Sequence, residues 1–261
     1  MLSKSLLFLA MAAFSVASPL RRQYTSCRPN SKSTIPILPS TGNDEELASP
    51  PDNVELKKIG LGHGIQNYTC AMSSPDDGSE PTLVASALGA IAVLYDITEM
   101  YPGSSRSAFH SVDAYNMMPV SILASAELPI NLDQTAVTPT SVPATSNPFP
   151  APADLNFAGR TYPFLGHHYF NAEGVPTFDL RDIANLFAVV KKDDAVPPPS
   201  MAYAGPMGTG TVAWLKLSDK GGSEGVEYVY RVNTAGGKPH ACSGEGETFS
   251  VSYTAMYWFY G

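Results

Sequence analysis

The chain is predicted to be mainly β, a single antiparallel β-sandwich or barrel carrying a long loop insertion rich in Pro, Thr and Ser. Three observations lead there. First, Phe249, Val251, Tyr253, Ala255, Tyr257 and Phe259 alternate with Ser250, Ser252 and Thr254, the period-2 signature of a strand with one face in a core. Second, "TVAWLKL" (Thr211–Leu217) and "VEYVYRV" (Val226–Val232) are dense in β-branched and aromatic residues, with a Gly-Gly-Ser turn cluster between them. Third, only 15% of residues are charged while the chain holds 23 Pro and 21 Gly, a composition of strands and loops rather than helices.

The elements follow in chain order. Lys4, an apolar run from Leu6 to Phe14 and the small residues Ser15, Ala17 and Ser18 have the form of a signal peptide over residues 1–18. The apolar run is shorter than the roughly 20 residues that a spanning helix needs, so no membrane span is expected. Arg21–Arg22 is a dibasic pair where a furin-like protease would trim the chain again, or simply two solvated charges. Residues 19–57, rich in Pro, Ser, Asn and acidic side chains, are expected to form an extended, poorly ordered arm.

A single β-rich domain is expected over residues 58–261. Its first strand runs from about Lys58 to Met72, with Gln66, Tyr68 and Cys70 on one face and Ile65, Asn67 and Thr69 on the other. Pro81–Thr98 is dense enough in Ala, Leu and Ile for a short helix, with strand the competing reading. Tyr101–Gly159 contains an insertion-like stretch. Within it, residues 131–154 form a Thr/Ser/Pro-rich loop of low complexity, suited to O-glycosylation in a secreted protein. The closing strand loses its polar face after Met256, so that end is expected to lie between two apolar layers.

Charge and cysteine content narrow the function classes. A formal net charge of −8 offers no basic footprint for nucleic acid. Cys27, Cys70 and Cys242 are the three cysteines; in a secreted chain two oxidise together and one is left over. No Cys-x-x-Cys spacing supports a structural zinc site. Asn67-Tyr68-Thr69 is the one N-glycosylation sequon.

Six segments in fixed order suggest a family: "GIQNYTC" (Gly64–Cys70), "LGHHYF" (Leu165–Phe170), "PTFDLR" (Pro176–Arg181), "VAWLKL" (Val212–Leu217), "YRVNTAGGKP" (Tyr230–Pro239) with Cys242, and "VSYTAMYWFYG" (Val251–Gly261). From about Ile59 to Gly261 the chain resembles a family of secreted fungal proteins of unknown function, whose members often carry the label "malate dehydrogenase". The resemblance implies secretion, strand pieces with a turn at Pro81–Thr98, and a Cys70–Cys242 pair. It also implies that Cys27 lacks its usual partner, since Glu99 stands where many members have a cysteine.

The dehydrogenase label fails a physical test. A dinucleotide fingerprint needs Gly-x-Gly-x-x-Gly between a strand and a helix. "GLGHGI" (Gly60–Ile65) has Ile65 at the third position and runs on into strand-like sequence. NAD is not expected as a cofactor.

His63, His167 and His168, with Asp179, are the candidate catalytic group, because imidazoles beside a carboxylate do acid–base work or bind metal. His63, His168 and Asp179 are the candidate metal ligands, with zinc or copper as the ion. Adjacent His167 and His168 point to opposite faces of a strand, so one at most joins a given site. No nucleophile motif accompanies them, Gly-x-Ser-x-Gly being absent, and hydrogen-bonded structural roles are the preferred reading. The tyrosines and Trp258 near the C-terminus suit a stacking platform or, more simply, core packing. The expected function is a secreted, non-catalytic binding or wall-associated protein. Its expected partners are cell-wall glycan, a host surface or a small apolar ligand; the alternatives are an extracellular enzyme with a His-based site and a structural wall component.

Overall fold

The computed structural model describes residues 35–74, 80–107, 109–132 and 147–261. The leader expected over residues 1–18, Arg21–Arg22, Cys27 and the greater part of the low-complexity loop lie outside them. The strands are β1 (Leu56–Met72), β2 (Leu83–Asp96), β3 (Leu155–Phe157), β4 (Arg160–Tyr162), β5 (Phe164–Phe170), β6 (Pro176–Leu180), β7 (Leu186–Val196), β8 (Trp214–Asp219), β9 (Tyr228–Gly236) and β10 (Thr248–Tyr260). Eight of them close into a barrel in the order β1-β10-β9-β8-β7-β6-β5-β2, and β3-β4 form a separate two-stranded ribbon. Every ladder is antiparallel. Of the two architectures the sequence left open, the barrel is realised, which leaves the main sheet no free edge.

The interior is packed rather than hollow. β10 turns Tyr253, Ala255, Tyr257 and Phe259 inward, against Leu94, Leu165, Phe178 and Val229. Opposite them β1 presents Gly60, Gly62 and Gly64, and these explain the "GLGHGI" motif. A Cβ on Gly62 would stand 2.6 Å from the Tyr257 ring, and one on Gly64 1.9 Å from the carbonyl oxygen of Ile91. The glycines admit bulky neighbours across a narrow barrel, and they lie inside a strand rather than at a strand-to-helix turn.

Polar groups inside the barrel are partly paired, Gln66 Nε2 being without a partner. The hydroxyls of Tyr253 and Tyr257 are 2.9 Å apart. Arg231, in register with Tyr257 and Leu215, donates from Nε and Nη2 to the Ala213 carbonyl at 3.2 and 2.9 Å.

A second apolar layer lies outside. Ile59, Leu61, Val93, Tyr230, Val232, Met256 and Trp258 face outward yet are buried. Their cover includes α1 (Val112–Asn116) and α2 (Met118–Ser125), which contribute Tyr115, Met118 and Ile122. The expectation that the end of the closing strand sits between two layers therefore holds, with Tyr257 and Phe259 inside and Trp258 outside.

Of the two readings of Pro81–Thr98 strand is realised, as one long β2 with a register shift against β1 between Asn67 and Tyr68. Among the described residues of Tyr101–Gly159 stand α1 and α2, which no periodicity announced. One expectation about the fold is corrected. The arm is not loose over residues 35–55: it lacks regular structure, but Leu38, Leu47 and Val54 pack against the outer core. The Ala48 carbonyl accepts from the Tyr230 hydroxyl at 3.0 Å, and Ile37 N–H donates to the Tyr101 hydroxyl at 3.3 Å. Burying leucines on an apolar wall offsets the entropy of ordering an otherwise polar segment.

Cys70 and Cys242 form a disulfide across 172 residues of chain, the pairing the resemblance implied. It fastens the end of β1 to the segment before β10.

Candidate functional site

One outward-facing row collects most of the predicted site residues. Thr254 pairs with His63, His63 with Val93, Val93 with His167, His167 with Asp179, and Asp179 with Phe187. His63 and His167 thus share a face, with Val93 between them. At about 4.8 Å per strand, His63 and His167 are roughly 10 Å apart and His63 and Asp179 roughly 14 Å. A zinc ion holds its nitrogen and oxygen donors within about 2.2 Å, so His63 and Asp179 do not share one.

His168 points the other way, into the barrel. Its ring stacks on Phe178 with centroids 4.1 Å apart, and its Nδ1 lies 2.9 Å from the Thr177 carbonyl. The set His63, His168 and Asp179, expected as metal ligands, is therefore split across the barrel wall. Among the described residues no group of three His, Cys, Asp or Glu side chains could hold a metal ion.

Electrostatics agree with structural roles. His63 is 1% exposed, and burial alone pulls its pKa down to about 4. Its Nδ1 has no partner. The Thr254 end of the row lies under α2, the Thr254 hydroxyl donating to the Pro119 carbonyl at 2.6 Å. His168 is likewise lowered to about 4 by burial. His167 lies under Phe149, ring centroids 4.0 Å apart, and burial outweighs the raising influence of Asp179 to leave its pKa low. Asp179 is committed to Arg181, whose Nε donates to Oδ1 at 2.9 Å. Those hydrogen bonds hold the carboxyl below its ordinary range. Of the predicted group, only His167 and Asp179 stand side by side. His240, outside that group, stacks on Phe249 at 3.8 Å.

A different place has the features of a binding site. Between the end of α1, the start of α2 and the mouth of β8 and β9 lies a cavity of about 410 Å³. Its walls are largely apolar: Met117, Val120, Pro199, Met201, Ala202 and Tyr203. Met117 is 52% and Met201 92% exposed, which places flexible, polarisable side chains at the rim.

Its floor is polar and incompletely satisfied. Trp214 is 2% exposed, yet its indole Nε1–H has no acceptor, and Asn116 Oδ1 beside the same cavity has no donor. A buried, unpaired polar group costs about 1–3 kcal/mol; both atoms are closed to solvent, so they belong to the packed wall behind the cavity.

The backbone beneath is also unusual. Asn233, another lining residue, sits at φ 47° within β9, where the register against β10 shifts between Thr254 and Met256. The bulge turns Asn233 out of the ladder, and its Nδ2 lies 3.4 Å from Met256 Sδ. Such strain persists where the surroundings hold it.

Sequence reasoning missed this site. Trp214 and Asn233 fall inside family-like motifs, but nothing in "VDAYNMMPV" (Val112–Val120) or in residues 197–203 pointed to a wall. Sequence alone does not bring these four segments together.

Fold and site together define a class: a closed, filled antiparallel barrel whose apolar outer face is roofed by short helices, with a ligand-sized groove at the edge of the roof. The chain belongs to the family described as "Protein of unknown function (DUF3455)", whose model matches residues 50–261. Searches of curated proteins and of solved structures returned no match.

Proposed function

We propose that the protein works outside the cell as a non-catalytic binding protein, and that the groove between α2 and the β8–β9 mouth is its ligand site. The observation that carries this reading is a concavity of about 410 Å³ with largely apolar walls, lined by side chains from four separate segments of the chain. The disulfide suits an oxidising compartment, in keeping with the leader-like sequence of residues 1–18. No helix among the described residues is long and apolar enough to cross a membrane. Among cell-wall glycan, a host surface and a small apolar ligand, the groove favours the last, because its walls present methionine, proline and valine rather than carboxylates and stacked rings.

The test is a thermal-shift screen of neutral small molecules and soluble wall oligosaccharides. Protein recovered from culture medium is compared with a Val120→Trp variant that fills the groove. A ligand that stabilises only the unmodified protein supports the site, since binding to the folded state raises its stability by mass action. Equal stabilisation of both proteins overturns it, and intact Met1 on the secreted chain overturns the processed leader.

A further inference from the structure

We infer that the edge of β2 from Leu83 to Ala87 is a self-association seam, at which two copies of the chain pair antiparallel across a twofold axis through Ala85. The seam shares no residue with the groove and stands or falls without it.

Barrel closure covers a strand edge only where a neighbour runs alongside, and β2 outruns β5. β5 pairs with Ala92–Tyr95 alone, whereas β1 accompanies β2 as far as Leu83. Over Leu83–Ile91, among the described residues, β2 therefore has a ladder partner on one side only.

The backbone hydrogen bonds fix which groups are left over. Ser73 N–H donates to the Thr82 carbonyl at 2.7 Å, while Cys70 bonds on the β10 side, to Gly246 and Glu247. Bonding direction alternates along a strand. Val84 and Ser86 thus bond to β1, in register with Ala71 and Thr69, and Leu83, Ala85 and Ala87 direct their N–H and C=O to the open side. The register shift opposite Asn67 and Tyr68 then leaves Leu88 as the extra residue of a bulge, which ends the open run.

This edge lacks the charges and prolines that keep strand edges apart. "LVASALGAI" (Leu83–Ile91) contains neither. Val84, Ser86, Ala87 and Leu88 are exposed, Val84 at 39% and Leu88 at 56%.

A second copy fits because the open residues are spaced by two and centred on Ala85. Under a twofold axis there, Ala85 faces Ala85, and Leu83 of each copy faces Ala87 of the other. Every open N–H then meets an open C=O, the self-complementarity that an isologous interface needs. Alanine at the axis lets the backbones reach the spacing of about 4.8 Å between paired strands. Val84 comes opposite Ser86 of the second copy and diagonal to its Leu88, within reach for apolar contact. An uncharged edge also meets its own image without repulsion. So short a seam is at the small end of specific interfaces, and the dimer forms reversibly as concentration rises.

The experiment is sedimentation equilibrium of protein recovered from culture medium, from about 50 µM to about 1 mM. Amide hydrogen exchange of 15N-labelled protein is followed by NMR at both ends of that range. The weight-average mass should rise from that of one chain toward that of two. The amides of Leu83, Ala85 and Ala87 should exchange severalfold more slowly at the higher concentration, with those of Val84 and Ser86 slow throughout. Ala85→Pro removes only an open-side N–H, a place where strands tolerate proline, and should hold the mass at one chain. Ser86→Lys keeps every backbone group and adds an edge charge; it should do the same, and serves if the proline variant folds poorly.

A mass that stays at one chain up to about 1 mM overturns the seam. So does a dimer that leaves the exchange of Leu83, Ala85 and Ala87 unchanged, or one that survives both substitutions, since it forms through another surface. If those amides are already protected in the dilute monomer, the chain covers this edge itself and the inference is equally wrong.

Discussion

The ring of His168 lies against that of Phe178 at an interplanar angle of 9°, inside a barrel that excludes water from it. An imidazole so placed stays neutral, and burial holds both His168 and the outer-row His63 near pKa 4 instead of 6.5. Unfolded chain takes up these two protons near pH 6.5, while folded chain resists until about pH 4. Stability is therefore full above about pH 6.5 and falls as the pH drops through this window, by up to about 3 kcal/mol per histidine. Urea unfolding between pH 7 and pH 4 should show the decline, and His63→Leu should remove roughly half of it. A flat profile would contradict the burial argument.

His167 responds to different neighbours. Phe149 covers its ring and Asp179 stands beside it in the row. Phe149→Ala should raise the His167 pKa by admitting water, and Asp179→Asn should lower it further by removing the favourable carboxylate. Titration of the ring protons by NMR reads both shifts. If neither variant moves the midpoint, the pairing of these residues has no electrostatic consequence.

Gly64 is expected to be the least replaceable of the inward glycines. Its added Cβ would meet Ala92 Cα at 2.5 Å, a backbone atom, so relief requires moving a strand of a closed barrel. Gly64→Ala should cost at least about 3 kcal/mol. Gly244→Ala, with nothing within 4 Å of its Cβ, should be close to neutral. Chemical denaturation midpoints for the two variants decide this.

Removing the Cys70–Cys242 bridge by a double Cys→Ser change should lower stability by about 2–5 kcal/mol, because the crosslink restricts a long loop in the unfolded chain. Cys27 should remain outside that bridge. Peptide mapping without reductant that found Cys27 joined to Cys70 or Cys242 would refute the pairing.

Asn67 should carry an N-glycan. It projects from the outer face of β1, and its Oδ1 accepts from Ser250 Oγ at 2.7 Å, which leaves the amide nitrogen for the sugar. Treatment with a glycan-removing amidase should lower the mass and convert Asn67 to Asp. An unchanged mass would show an unused sequon.

Local pattern carried much of this fold. Alternation along Thr248–Tyr260 told which residues face inward, because side chains of a strand point to opposite sides in strict succession. The same rule put His167 and His168 on opposite faces, and the loss of the polar face after Met256 announced a second apolar layer. It did not reveal α2, whose helix is short and apolar nearly all round, nor that polar residues 35–55 would be held by a few leucines.

Neighbourhood across strands depends on barrel closure. His63, Val93, His167 and Asp179 stand in one row because β1, β2, β5 and β6 are adjacent in the closed order, a fact that no spacing along the chain encodes. Trp214 and Asn116 are nearly a hundred positions apart and look unremarkable where they stand. They meet at one cavity only after the barrel has closed and α1 and α2 have docked on its outer wall, since hydrophobic burial drives that docking without regard to sequence distance.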